Sequence, residues 1–130
     1  MTRMTQPPKP PLRVLLVEDE LIVRQVVTEM LQAQGYAVTS TDDPEQALEL
    51  SATGEVYDLL ITDLVMPKLD GYELAVALAE QAPKLKVIFI SGYSSTTSRP
   101  ELAEDEVGFL QKPFSIGDLA AKIREVLDKT

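Results

Sequence analysis

Five short apolar runs, each followed by a stretch with helical spacing, constrain the fold of this chain more than any other feature. They lie at 12–17 (Leu-Arg-Val-Leu-Leu-Val), 36–40, 59–61, 86–90 (Lys-Val-Ile-Phe-Ile) and 107–110. The run Leu59, Leu60, Ile61 carries no polar alternation, which suits a strand covered on both faces. Between the runs, Ile22, Val23, Val26, Val27, Met30 and Leu31 recur at helical spacing over 21–34, and Gly35 supplies the stop. A second helix begins at Pro44 behind Asp42 or Asp43 as cap, presents Ala47, Leu48 and Leu50, and ends at Gly54. A third covers 71–81 with Leu74, Ala75, Leu78 and Ala79 inward. The final one starts behind Ser115 and carries Leu119, Ile123, Val126 and Leu127.

Strands that alternate with helices in this way form a parallel sheet. The expectation is an α/β domain over 12–130: a five-stranded parallel sheet in the flavodoxin-like order 2-1-3-4-5, with helices on both faces. Residues 1–11, rich in proline, read as a flexible leader. The segment 93–106 is the weak point. Its serines and threonines favour caps and turns, and Pro100 limits where a helix can begin, so the fourth helix is expected to be short or disordered.

Charge and composition then remove whole classes of function. Acidic residues outnumber basic ones 21 to 12, a formal charge of −9 that repels nucleic-acid backbones and argues against direct DNA binding. With no Cys and no His, thiol chemistry, imidazole bases and the usual zinc sites are excluded. Any bound metal is an oxygen-ligated one such as magnesium, calcium or manganese. No apolar run is long enough to span a membrane, and no signal-peptide pattern opens the chain, which points to the cytoplasm and away from membrane insertion.

The chemistry gathers where the strands end. In an open α/β sheet, ligands bind beyond the carboxyl ends of the strands. The first strand ends in Glu18-Asp19-Glu20, the third in Asp63, the fourth in Ser91 and the fifth runs into Lys112. In the proposed order strands 1, 3, 4 and 5 are neighbours about 5 Å apart, so these side chains should converge on one crevice. Carboxylates crowded together raise one another's pKa, and a divalent cation relieves the repulsion. An oxygen-only set suits Mg²⁺, while Lys112 offers a mobile positive charge for a phosphate oxygen and Ser91 a hydroxyl donor. Such a site fits phosphoryl transfer onto Asp63 as nucleophile.

In order along the chain, Leu-Leu-Val-Glu-Asp-Glu, Asp63-Leu-Val-Met-Pro-Lys-Leu-Asp-Gly, Phe-Ile-Ser91-Gly and Lys112-Pro-Phe together resemble the receiver domains of two-component response regulators. The resemblance implies that Asp63 accepts a phosphoryl group from a histidine kinase or a histidine phosphotransfer protein and then changes how the domain binds a downstream protein. It implies Mg²⁺ held by Glu18, Asp19, Asp63 and the carbonyl of Val65, with Asp19 the more direct of the first pair. Ser91 and Phe109 take the switch positions, Lys112 pairs with the phosphoryl group, and the Lys112-Pro113 bond is cis. It also implies a signalling domain that assists its own phosphorylation and dephosphorylation, not an enzyme in the ordinary sense. The Phe-Ile-Ser-Gly-Tyr and Phe-Leu-Gln-Lys-Pro-Phe pieces resemble receivers of hybrid histidine kinases and some single-domain regulators.

Three departures from the family stand out: Phe109 where many members have Tyr, Glu18 where Asp is commoner, and the segment between Ser91 and Val107, which is poor in helix formers. Glu20 reads as a helix-start acid, Asp70 and Gly71 as turn and cap, and Tyr93 as an exposed partner contact. Two competing functions use the same residues. One is a receiver-shaped binding module that is never phosphorylated. The other is a magnesium-dependent phosphatase of the haloacid dehalogenase type, which commonly has a second Asp two residues after the nucleophile; here that place is Val65.

Overall fold

The computed structural model describes residues 11–91 and 107–128. Its elements are β1 (Arg13–Val17), α1 (Leu21–Ala33), β2 (Ala37–Thr41), α2 (Pro44–Ala52), β3 (Leu59–Asp63), α3 (Gly71–Gln81), β4 (Lys86–Ser91), β5 (Val107–Gln111) and α4 (Ile116–Asp128). Residues 1–10 of the expected leader, the weak helix at 93–106 and Tyr93 lie outside the described residues.

All strand pairs are parallel and run in the order β2-β1-β3-β4-β5, as the alternation predicts. Successive side chains of a strand point to opposite faces, and the core divides accordingly. Leu15, Val17, Leu60, Val87 and Phe89 pack with Ala47 of α2 and Leu74, Ala75 and Leu78 of α3. Val14, Leu16, Leu59, Ile61, Ile88 and Ile90 pack on the other face with Val27 and Leu31 of α1 and Leu119, Ile123 and Val126 of α4. Uniformly apolar strands were therefore the mark of a sheet with two covered faces.

On α1, Val27 and Leu31 are buried and Val23 and Met30 lean on the same cluster, but Ile22 is 74% exposed and Val26 44%. A helix advances about 100° per residue, so the face through 23, 27, 30 and 31 turns 22 and 26 toward solvent. Helix starts are built from local chemistry. Asp43 accepts from the Glu45 N–H at 2.9 Å behind Pro44, which resolves the choice between Asp42 and Asp43. Asp70 and Glu73 form a reciprocal capping box at α3, and Ser115 and Asp118 exchange two 3.0 Å bonds at α4.

The register aligns the strand ends. Val17 is level with Thr62, Asp63 with Ile90, and Ser91 with Gln111, so Glu18, Asp63, Ser91 and Lys112 leave the sheet at one rim. The edge strand carrying Lys112 is held against α4 at Gly108, where an added Cβ would lie 2.7 Å from Val126 Cγ2 and 3.1 Å from Lys122 Cδ. We expect Gly108→Ala to lower stability by about 1–3 kcal/mol through overpacking, seen as a lower urea midpoint at unchanged slope.

Candidate functional site

Asp63 is the last residue of β3 and is 6% exposed. Both carboxylate oxygens are engaged: Oδ1 accepts from the Val65 N–H at 3.2 Å and Oδ2 from Lys112 Nζ at 3.1 Å. The main chain beside it is fixed as well. The Leu64 N–H donates to the Ile90 carbonyl at 3.0 Å, and the Gly71 N–H to the Leu64 carbonyl at 2.9 Å. A Cβ at position 71 would fall 2.1 Å from the Asp63 carbonyl oxygen, so only glycine lets α3 begin against the end of β3. Gly71, read from sequence as a turn and cap residue, thus also seats Asp63.

Lys112 is positioned by its own N–H, which donates to the Ser91 carbonyl at 2.8 Å and extends the β4–β5 pairing by one step. The Lys112-Pro113 bond is cis, as expected. The ammonium lies 3.0 Å from Glu20 Oε1, 3.1 Å from Asp63 Oδ2 and 3.2 Å from Glu18 Oε1. Burial alone lowers its pKa, but hydrogen bonds to Glu20 and Asp63 and the charges of Glu18 and Asp63 outweigh that and raise it. The lysine is firmly cationic.

Glu18 has no exposed surface. Its Oε2 accepts from the Glu20 N–H at 3.0 Å, whereas the buried Oε1 makes no hydrogen bond and faces the ammonium only as an ion pair. Burial pushes its pKa up to about 7; the Glu20 N–H and Lys112 pull it down and the charge of Asp63 pushes it up.

Of the three acids after β1, the structure gathers Glu18 and Glu20 and turns Asp19 away. Carboxylate oxygens of Glu18, Glu20 and Asp63 all lie within 4.8 Å of one another. Asp19 is exposed and lines a shallow recess with Asp42, Asp43, Pro44, Pro67 and Lys68. The chain bends at Asp19 and Glu20 beyond the end of β1, and the Glu20 N–H bond to Glu18 Oε2 keeps residue 20 beside residue 18. No sequence pattern singled out Glu20, which sequence reasoning left to the helix start. Glu20 does occupy the N-cap of α1, but its side chain makes no cap bond.

The remaining candidates lie on β4, on β5 and on the loop after β3. Ser91 is buried at the end of β4, and Val65 is 67% exposed on the loop after Asp63. Phe109 is 50% exposed on β5, its ring tilted against buried Phe89 with centroids 5.4 Å apart. The donor set offers a cation only oxygen, and buried, unbonded Glu18 Oε1 is the kind of atom a cation would satisfy. The residues present therefore fit a hard divalent ion.

Residues 14–124 match the family model of the response regulator receiver domain. The sensor kinase CckA of Brucella abortus is 42% identical over 119 residues, covering 89% of this chain and 12% of that protein. The response regulator receiver protein CpdR of the same organism is 38% identical over 116 residues, 88% of this chain and 96% of that protein. The crystal structure of the receiver domain from the hybrid histidine kinase CckA superposes with a TM-score of 0.75 at 37% identity, over 89% of this chain and 99% of that one.

Two outcomes follow from the packing and charge of the site. Gly71→Ala should destabilise the fold by about 1–3 kcal/mol and shift the amide resonances of Asp63 and Leu64, because the methyl must displace the Asp63 carbonyl. For Glu18, a folded pKa raised above the ordinary carboxylate value means that its protonated form stabilises the fold. That contribution is complete below about pH 4.5 and is lost as pH rises through about 7. In metal-free buffer, Glu18→Gln should remove this falling limb and be more stable than the parent at pH 8, by on the order of 2 kcal/mol. Urea unfolding at several pH values measures both.

Proposed function

The chain belongs to the response regulator receiver domain family, and from that premise we propose that it is a phosphorylation-driven switch whose acceptor is Asp63. The observation that carries this reading is Lys112 Nζ at 3.1 Å from Asp63 Oδ2 beside fully buried Glu18. The donor is a phosphohistidine on a histidine kinase or histidine phosphotransfer protein. An Asp63 carboxylate oxygen attacks phosphorus, the P–N bond breaks, and the departing imidazole nitrogen takes up a proton. The product is an aspartyl phosphate.

This chain's residues contribute position and charge. The Val65 N–H and Lys112 hold the two Asp63 oxygens and so orient the nucleophile before the donor arrives. Lys112 then pairs with the negative charge that arrives on the phosphoryl oxygens. Glu18, Asp19, Asp63 and the Val65 carbonyl would hold Mg²⁺, although Asp19 is exposed and faces away from the other acids in the resting structure. When bound, the ion supplies charge neutralisation for an anionic donor approaching an acidic site.

Ser91 and Phe109 carry the signal outward. Ser91 turns its hydroxyl to the phosphoryl group, and Phe109, half-exposed against Phe89, follows into the space vacated and alters the surface offered to a downstream protein. The protein acts in the cytoplasm through protein partners and not by contacting DNA; its formal charge of −9 supports this. Among the described residues no helix is long and apolar enough to cross a membrane.

With Mg²⁺ and acetyl phosphate, the full chain should gain one phosphoryl group by mass, lose it under alkaline treatment, and gain none as Asp63→Asn. Lys112→Ala should slow the gain on the order of 100-fold. Chelation of Mg²⁺ should abolish it. A chain that neither takes up a phosphoryl group nor binds fluoroberyllate in the presence of Mg²⁺ would instead be a binding module; steady turnover of a generic phosphoester would identify a phosphatase.

A further inference from the structure

Lys112 Nζ donates hydrogen bonds to Glu20 Oε1 at 3.0 Å and Asp63 Oδ2 at 3.1 Å, and stands 3.2 Å from Glu18 Oε1 as an ion pair without a hydrogen bond. Its charge is thus shared among three acids, and a phosphoryl group arriving on Asp63 competes with the other two for it.

The three partners differ in what release entails. The Glu18 side chain has no exposure and that of Asp63 has 9%, whereas that of Glu20 is 63% exposed. Freeing Lys112 from Glu18 would strand a buried charge. Freeing it from Glu20 returns a carboxylate to water at small cost. Asp63 is the acceptor itself and carries the incoming group.

On the receiver reading above, we infer that Glu20 is the latch of this site: it holds part of the Lys112 charge that the phosphoryl group later takes, and so restrains phosphorylation of Asp63 until it swings out. Glu20 acts through Lys112 and is a positioning residue. Its main-chain roles are separate from its side chain. The Glu20 N–H donates to Glu18 Oε2 at 3.0 Å, its carbonyl accepts from the Arg24 N–H at 2.9 Å, and its side chain caps nothing. A side-chain substitution therefore leaves the turn and the start of α1 intact.

The test is the rate at which the full chain, with saturating Mg²⁺ and acetyl phosphate, is phosphorylated on Asp63. Glu20→Gln should be faster than the parent by roughly threefold to tenfold at low ionic strength, the gain shrinking as salt screens the pair it removes. Glu20→Asp, which keeps the charge, should stay nearer the parent rate, and thermal midpoints should be unchanged. The gain should vanish when Glu20→Gln is placed in a Lys112→Ala background, because there is no ammonium left to release. An equal gain in that background would mean that Glu20 acts by bulk charge alone, and would overturn the latch. A slower Glu20→Gln chain with weakened Mg²⁺ affinity would make Glu20 a metal ligand and would also overturn it. A parent chain that is never phosphorylated would sink the receiver reading itself, and this inference with it.

Discussion

Negative charge gathered at the rim of a parallel sheet is the constraint around which this molecule is arranged. Glu18 is fully buried and Asp63 nearly so, with Glu20 above them, and a low-dielectric surrounding makes their mutual repulsion costly. Lys112 sits among them and balances part of that charge. The balance is conditional on geometry. Lys112 leaves the far edge strand, β5, and reaches back past the end of β4 to the ends of β3 and β1, so the site holds together only while four strands keep their register. An electrostatic interaction between residues 18, 63 and 112 is thereby also a tertiary clamp.

That clamp explains why two glycines far apart in sequence carry similar demands. Gly71 lets α3 start in contact with the Asp63 carbonyl, and Gly108 lets α4 lie against β5 just before Lys112. Each is a place where a helix must approach a strand more closely than any side chain allows. One seats the nucleophile and the other the cation. The dense two-faced core around β1, β3 and β4 makes the sheet stiff, and the polar groups at its rim inherit that stiffness.

The relatives show two settings for such a unit. In the sensor kinase CckA of Brucella abortus the matching stretch is 12% of a much longer protein, and in CpdR it is 96% of the whole. A resting site that keeps its cation latched suits either setting, because it separates a chemically competent arrangement from a reactive one. The cost of unlatching falls on the one solvent-exposed carboxylate of the group, Glu20, so the step is easily driven by charge arriving at Asp63.

The sequence by itself determined the sheet order, the two helical layers and the identity of Asp63 and Lys112 as neighbours, because these rest on local signals. Apolar runs without alternation, caps such as Asp43, Asp70 and Ser115, and polar residues at the strand ends each report on a few consecutive positions. Ile22 and Val26 were less legible, since helical spacing marks an apolar stripe without saying where its buried edge lies. Only the tertiary structure decided which of the three acids after β1 face Lys112. Glu18 and Glu20 gather at Lys112 and Asp19 does not, because the chain bends after β1 and the Glu20 N–H is held by Glu18 Oε2 beside the lysine brought in from β5. Likewise Gly71 became a seat for Asp63 only when α3 met β3, a contact between backbone atoms that no side-chain pattern encodes.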